Sequence, residues 1–288
     1  MNKISLIVLN YNDYKTTSEY LNIVKNYAKI DKIVVVDNNS TDDSYEKLYK
    51  YNSDYIHVIK SDTNGGYGSG NNIGIKYAIN NFNSQYILVS NPDVQFEEDI
   101  IRKMMEVYKT YDNVGIVAPI MKQHGEGDIV AWKIAKWSDD IILTNGILKK
   151  LYGNPLLYKK QEINKEVNFV DVLPGSFFMI SQKAIVDAEY FDEDTFLYCE
   201  ERILAYKLKK LGYRNILLGD ISYIHMHSIS IDKNIKSNLK KYEILCDSRL
   251  IYQKKYLKIN LFKELITKLI FKIGKIERII FYLLRNKR

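Results

Sequence analysis

Asn12, Asp37, Asp42, Asn91 and Asp93 follow the ends of three apolar runs. Tyr86–Val89 is a short continuous apolar run, the kind that is buried on both faces of a sheet. It stops at Ser90-Asn91-Pro92, where proline removes a backbone donor. Asp93 is thereby presented just past the carboxyl end of a central strand, the edge at which open parallel sheets bind ligands. A carboxylate there, beside the amide oxygen of Asn91, suits a hard divalent cation that already holds phosphate oxygens. The plainer alternative is a turn that only ends a strand. Ile4–Leu9 ends in Asn10-Tyr11-Asn12-Asp13, and Ile33–Val36 ends in Asp37-Asn38-Asn39-Ser40-Thr41-Asp42. Acids and amides repeated at the carboxyl ends of parallel strands are the expected make-up of a nucleotide crevice.

The elements that position these residues alternate. Apolar spacing predicts helices over residues 16–27, 44–51 and 98–108, with a third strand at Tyr55–Ile59. Asn64–Gly74 is glycine-rich and reads as a loop running into a helix through Ile79, permitting close backbone approach to a ligand. It lacks the GxxxxGK[ST] pattern and follows the third strand, so neither a P-loop nor a dinucleotide fingerprint fits. The βαβαβ order with short connections argues a parallel, doubly wound α/β sheet. Residues 125–168 read as loops and short helices covering the site. Val167–Ile180 reads as two strands flanking Pro174-Gly175-Ser176. Phe191–Arg202 leads into an amphipathic helix ending at Gly212, with Lys207, Lys209 and Lys210 where the helix dipole favours cations.

The 288 residues, 46% of them apolar, suffice for one large core. Cys199 and Cys246 show no metal-finger spacing and fit a reduced cytosolic protein. No leader is expected before the first strand, because Ile4–Leu9 is too short for one, and no apolar run is long enough to span a bilayer. Residues 259–288 hold eight basic side chains against Glu264 and Glu277, six of the net charge of +7. The basic character therefore belongs to the tail.

Taken together, the motifs resemble glycosyltransferase family 2, the inverting GT-A enzymes, and especially its bacterial rhamnosyltransferase-like branch. The resemblance spans residues 3–256. It rests on Tyr11-Asn12, Val36–Asp42, Asn64-x-Gly66 leading to Asn72-x-Gly74, and Asn91-Pro92-Asp93-Val94. Gly175, Phe191-Asp192-Glu193, Tyr198-x-Glu200-Glu201, Leu211-Gly212-Tyr213, His225-x-x-Ser228-x-Ser230 and Arg249 complete it.

The resemblance implies a mostly parallel central sheet flanked by helices, with a nucleotide half (1–115), an acceptor half (116–256) and a helical tail (257–288). It implies donor contacts at Tyr11, Asn12, Asp37, Asn39, Asn72, Asn91 and Arg249, with Asp37 on the nucleoside base and Asn72 helping to hold the nucleotide. Asp93 stands at the last acid of the family's DxD motif, whose first acid is Asn91 here, and is expected to bind Mg²⁺ or Mn²⁺. His225 is expected to complete that site, with His227 as the alternative. Glu200-Glu201 stands where the family has Glu-Asp. The second position implies Glu201 as the base that deprotonates the acceptor hydroxyl, with Glu200 competing. Ile203 replaces a further family acid. Arg249 is expected on the diphosphate or in a surface ion pair.

From Leu261 to Leu284, apolar residues recur at helical spacing among lysines and arginines, as one basic amphipathic helix or two joined near Gly274. Such a face suits an anionic membrane interface, the catalytic domain or a second subunit of a homodimer. Nucleic acid is disfavoured, because no stacking aromatics interleave the charges. The expectation is a metal-dependent sugar transferase at the cytoplasmic face of the cell membrane. It would act on a lipid-linked or growing surface glycan, with dTDP-rhamnose or a UDP-hexose as donor. A catalytically inactive nucleotide-sugar-binding protein and a nucleotidyltransferase are the alternatives.

Overall fold

The computed structural model describes residues 3–123, 130–158, 162–164, 166–226 and 235–285. His227, Ser228 and Ser230 lie outside the described residues. The centre is one mixed sheet built from β1 (Ile4–Asn10), β2 (Lys32–Asp37), β3 (Ile56–Lys60), β4 (Tyr86–Ser90), β5 (Val94–Gln95), β6 (Val114–Gln123), β7 (Val167–Val170), β8 (Phe177–Ser181) and β9 (Arg214–His225). Its order is β3-β2-β1-β4-β8-β6-β9-β5, with β7 also on β9. The first four strands are mutually parallel, whereas β8 is antiparallel to both β4 and β6. The parallel block is the alternating half of the sequence, where each helical crossover returns the chain in the same direction.

The strand interiors are Val, Ile and Leu because both faces are covered. Leu6, Val8, Ile33, Val35 and Leu88 face a cluster with α1 (Tyr14–Val24), α2 (Ser44–Tyr49) and α4 (Asp99–Thr110). Ile7, Val34, Val36, Ile87 and Val89 face α3 (Gly66–Phe82), α7 (Gln182–Asp187) and α8 (Glu200–Lys210). The apparent glycine loop is in fact the first turns of α3. Its glycines lie on the packed face, and a Cβ at Gly74 would meet Ile7 and Val36 side chains at 2.6 and 2.8 Å. The close backbone approach they permit is therefore to the protein's own chain.

Beyond the sheet lie α5 (Trp137–Thr144), α6 (Gly146–Tyr152), α9 (Asn238–Ile251), a π turn at Tyr252–Tyr256, and α10 (Leu261–Arg285). The tail is a single helix through Gly274. A Cβ there would lie 2.3 Å from the Tyr242 hydroxyl and 3.0 Å from the Thr144 carbonyl, so glycine lets α10 pack tightly on α9 and α5. The docked stripe is Thr267, Phe271 and Gly274: Trp137 Nε1 donates to Thr267 Oγ1 at 2.9 Å, and Phe271 packs with Tyr242 and Cys246. The apolar stripe at Leu261, Phe262, Leu265, Leu269, Ile276 and Ile280 faces outward. No helix among the described residues is long and apolar enough to cross a membrane.

Candidate active site

The carboxyl ends of β1, β2 and β4 form one edge, as their parallel register requires. The turns after β1 and β2 are sewn together: the Thr41 amide donates to Asn12 Oδ1 at 2.8 Å and the Asn12 amide to Ser40 Oγ at 2.9 Å. Asn12 and Asn39 hold left-handed backbone, φ 51° and 58°, which asparagine tolerates better than most residues. Asp37, expected on a base, is 0% exposed. Its carboxylate accepts from Asn10 Nδ2 (2.9 Å), the Ser40 amide (2.9 Å) and Ser40 Oγ (2.6 Å). These bonds hold the turn that carries Asn12 and Asn39.

Asn72, expected to help hold the nucleotide, also has partners within the chain. Its Nδ2 donates to the Phe191 carbonyl at 3.0 Å and Glu193 Oε1 at 2.8 Å, while its Oδ1 accepts from the Phe191 amide at 3.0 Å. A buried amide must find partners, and here the chain itself supplies them. Asn72 thus clamps α3 to the segment that leads to Glu200. Gly66 reinforces the clamp. It has φ +89°, and a Cβ there would lie 2.0 Å from the Phe196 carbonyl oxygen, to which the Tyr67 amide donates at 2.9 Å.

Asp93 meets His225 because β5 pairs antiparallel with β9, Val94 opposite His225. Asp93 Oδ1 stands 3.2 Å from His225 Nε2, and the Met226 amide donates to the Asp93 carbonyl at 2.9 Å. Two ligands about 2.1 Å from an octahedral ion and at right angles stand about 3 Å apart, so this oxygen–nitrogen pair fits a divalent cation. No group of three or more His, Cys, Asp or Glu with metal-binding geometry occurs among the described residues. The remaining ligands would have to be oxygens of a bound phosphate or water. Asn91 flanks the pair, its amide donating to the Ser176 carbonyl at 2.8 Å.

The Pro174–Ser176 turn joins Asp93 to the glutamates. Ser176 Oγ and Tyr223 OH are 2.7 Å apart, and the Tyr67 hydroxyl donates to the Gly175 carbonyl at 2.6 Å. A Cβ on Gly175 would stand 3.7 Å from Glu201 Cβ. Immediately before the pair, Tyr198 and Cys199 both adopt left-handed backbone, φ 69° and 67°. Two consecutive non-glycine residues in that region mark local strain at this turn.

Burial pushes both glutamate carboxyls upward. Glu200 is raised well above the ordinary range, by burial first and then by the charge of Glu201. Glu201 is raised by burial, with Arg202 opposing the shift. Glu200 Oε2 is buried without a hydrogen-bond partner among the described residues, whereas Glu201 lines an open cleft. Two carboxyls in unequal surroundings separate in role. Burial, followed by the charges of Glu200 and Glu201, also holds the Tyr67 phenol well above its usual value.

The cleft, about 200 Å³, is walled by Glu201, Arg202, Arg249, Lys133, Lys149 and Trp132 among others, and its lining includes neither Asp93 nor His225. Arg249, expected on a diphosphate or at the surface, is buried. It donates to Thr144 Oγ1, and its Nε lies 3.5 Å from Asp140 Oδ1, to which Arg202 Nη1 is bound at 2.7 Å. Gln253 Nε2 donates to the other Asp140 oxygen at 3.2 Å. Desolvation lowers the Arg249 pKa. Tyr67, Ser176, Tyr223, Asp140 and Arg202 were not among the expected site residues. Arg202, adjacent to the glutamates, Tyr67, inside the glycine run, and Ser176, in the turn beside Gly175, carried a signal; Tyr223 and Asp140 carried none.

The sequence profile of the family described as Glycosyl transferase family 2 matches residues 5–187. The chain is 28% identical over 253 residues to the low-salt glycan biosynthesis hexosyltransferase Agl10 of Haloferax volcanii, covering 86% of this chain and 74% of that one. It is 22% identical over 222 residues to the N-acetylglucosaminyl-diphospho-decaprenol L-rhamnosyltransferase of Mycobacterium tuberculosis, covering 72% and 70%. Among solved structures, GalNAc-T7 with UDP, GalNAc and Mn²⁺ superposes with a TM-score of 0.62 at 14% identity, over 79% of this chain and 44% of that one. The mannosyltransferase PcManGT of Pyrobaculum calidifontis, with GDP-Man and Mn²⁺, gives 0.57 at 13%, over 95% and 70%. These neighbours share the GT-A fold. The chain belongs to glycosyltransferase family 2 and is a glycosyltransferase.

Proposed function

We propose that the enzyme transfers a sugar, with inversion, from a nucleoside diphosphate donor to a hydroxyl of a lipid-linked or growing cell-surface glycan. The observation that carries this reading is the placement of Glu201. It packs beside Gly175, whose turn leads to Asp93 and His225, and it opens on its other side into a cleft. A carboxylate there takes the proton of an acceptor hydroxyl as the hydroxyl attacks the anomeric carbon. Asp93 and His225 would hold Mg²⁺ or Mn²⁺, which when bound neutralises the leaving diphosphate. The Asn12 and Asn39 turns form the nucleotide side of the crevice. Glu200, buried and protonated, sets the field around Glu201 rather than acting as base.

Rhamnose from dTDP-rhamnose is the donor we favour, supported by the relative named as a rhamnosyltransferase. A hexose from a UDP-sugar is the second reading, supported by the relative named as a hexosyltransferase. The outward apolar stripe of α10, interleaved with Lys263, Lys268, Lys272 and Lys275, supports contact with an anionic membrane face. Replacing Glu201 by Gln tests the assignment. Turnover should fall by at least 100-fold while nucleotide diphosphate binding persists; unchanged turnover refutes Glu201 as base.

A further inference from the structure

Five elements meet at one buried carboxylate behind the cleft. Asp140 of α5 is 0% exposed, as are Gln253 in the π turn and Thr267 of α10. Asp140 Oδ1 binds Arg202 Nη1 of α8 at 2.7 Å and stands 3.5 Å from Arg249 Nε of α9. Asp140 Oδ2 accepts from Gln253 Nε2 at 3.2 Å. Thr267 completes the chain: its Oγ1 donates to Gln253 Oε1 and accepts from Trp137 Nε1, both at 2.9 Å. An unbroken run of buried hydrogen bonds therefore leads from the tail helix to Arg202, the residue after Glu201.

Holding the helices together does not call for this network. Apolar residues of like volume often replace a buried ion pair with no loss of stability. The tail helix already has an apolar seat, where Phe271 packs with Tyr242 and Cys246. What a fully satisfied buried network adds is one fixed arrangement of its members. The member at its end is Arg202, which shares the first turn of α8 with Glu201. Both line the cleft, whereas Asp140, Gln253 and Thr267 are absent from its lining. Strained backbone persists only where its surroundings hold it, and Tyr198 and Cys199 are left-handed just before this turn. The direction of the turn must therefore be fixed from elsewhere in the fold.

We propose that Asp140, Gln253 and Thr267 are positioning residues, which act through Arg202 to aim the Glu201 carboxylate into the cleft. This rests on the reading of Glu201 as the base. The tail helix is then part of the catalytic half, and its docked face governs the rate of transfer and not the affinity for the donor.

Five variants of the full chain test this. Thr267→Val keeps the side chain's shape and removes its hydroxyl, Gln253→Met removes the donor to Asp140, and Thr267→Ser keeps the hydroxyl. Phe271→Leu and Phe271→Ala loosen the same helix outside the network and bracket the loss of stability. Hydrogen exchange, measured well below each melting temperature, needs no substrate. Exchange at amides 198–203 should rise about tenfold in Thr267→Val and Gln253→Met. It should stay at the wild-type rate in Thr267→Ser and in the Phe271 variant of matching stability. Nucleoside diphosphate release from dTDP-rhamnose and UDP-glucose with Mn²⁺ should show kcat lowered on the order of tenfold in the same two variants, with donor KM unchanged. Unaltered exchange at 198–203, or equal effects in the Phe271 variants, would overturn the proposal. Glu201→Gln in the same release assay separates the two levels. If it loses turnover while Thr267→Val and Gln253→Met keep theirs, the positioning role falls alone. If it keeps turnover, the base reading falls and the positioning role with it.

Discussion

Gly66→Ala is the perturbation whose consequence the structure defines most sharply. Gly66 has φ +89°, and its added Cβ would lie 2.0 Å from the Phe196 carbonyl oxygen, a backbone atom that cannot rotate away. Holding an L-residue in left-handed backbone costs about 1–2 kcal/mol. Forcing the Phe196 carbonyl back also breaks the hydrogen bond from the Tyr67 amide, worth about 1 kcal/mol. The expected loss of stability is therefore about 2–3 kcal/mol. Because contacts below 3.0 Å are essentially never seen, the Phe196 segment must retreat by about 1 Å. That segment enters the Tyr198-Cys199 turn and then Glu200-Glu201, and a misplacement of about 1 Å at a reacting group costs on the order of 100-fold in rate. Urea denaturation and sugar-transfer assays on the same preparation read both effects. Gly212→Ala is the control: it has φ +84° with nothing within 4 Å of the added Cβ, so it should lose about 1–2 kcal/mol and keep its turnover. A Gly66→Ala enzyme within about 0.5 kcal/mol of wild type and fully active would refute the clasp between α3 and the catalytic turn.

Glu200→Gln should raise thermal stability at pH 8 and leave it nearly unchanged at pH 4. A carboxyl whose folded pKa is raised contributes stability below its unfolded pKa that is lost as pH climbs to the folded value, and glutamine escapes that loss. An identical shift in melting temperature at both pH values would contradict the buried, protonated assignment. Asp140→Ala removes the carboxylate that Arg202 and Arg249 share and should cost about 3–5 kcal/mol in denaturant unfolding; a loss below about 1 kcal/mol would mean that solvent already screens the pair. Gly274→Leu should unseat α10 from Tyr242 and Thr144, exposing Phe271. Protease cleavage within 257–285 should then accelerate, and unchanged cleavage would show that the helix is held elsewhere.

The strands of the first half were legible because continuous Val-Ile-Leu runs, punctuated by Asn, Asp and Pro, have few other solutions. The edge on which Asn12, Asp37 and Asn91 fall followed from the parallel alternation alone. What each polar residue faces did not follow. Asp37 and Asn72 also satisfy buried polar groups of the chain itself, on Ser40, Asn10 and the Phe191 backbone, and no local pattern of residues announces those bonds. The glycine run read as a loop because glycine is a poor helix former. It is helical because α3 must lie against Ile7, Val36 and Phe196. The Asp93–His225 contact depends on the register that sets Val94 opposite His225, far apart in sequence, so a resemblance and not a local pattern pointed to it. Asp140 gave no signal, since its two arginines come from α8 and α9. In the tail the apolar stripe was plain, but the docked face is threonine, phenylalanine and glycine, which no periodicity of hydrophobic residues reveals.

The most direct test of the account is a thermal-shift panel of UDP, GDP and dTDP, with and without Mn²⁺, on wild type and Asp93→Asn. A ligand that binds only the native state stabilises it by about 2.7 kcal/mol at a hundredfold excess over its dissociation constant. The account predicts that one of these diphosphates stabilises the wild type strongly, only with Mn²⁺, and that Asp93→Asn abolishes the effect. No stabilisation by any of the three, or equal stabilisation of Asp93→Asn, would contradict a donor site built on Asp93.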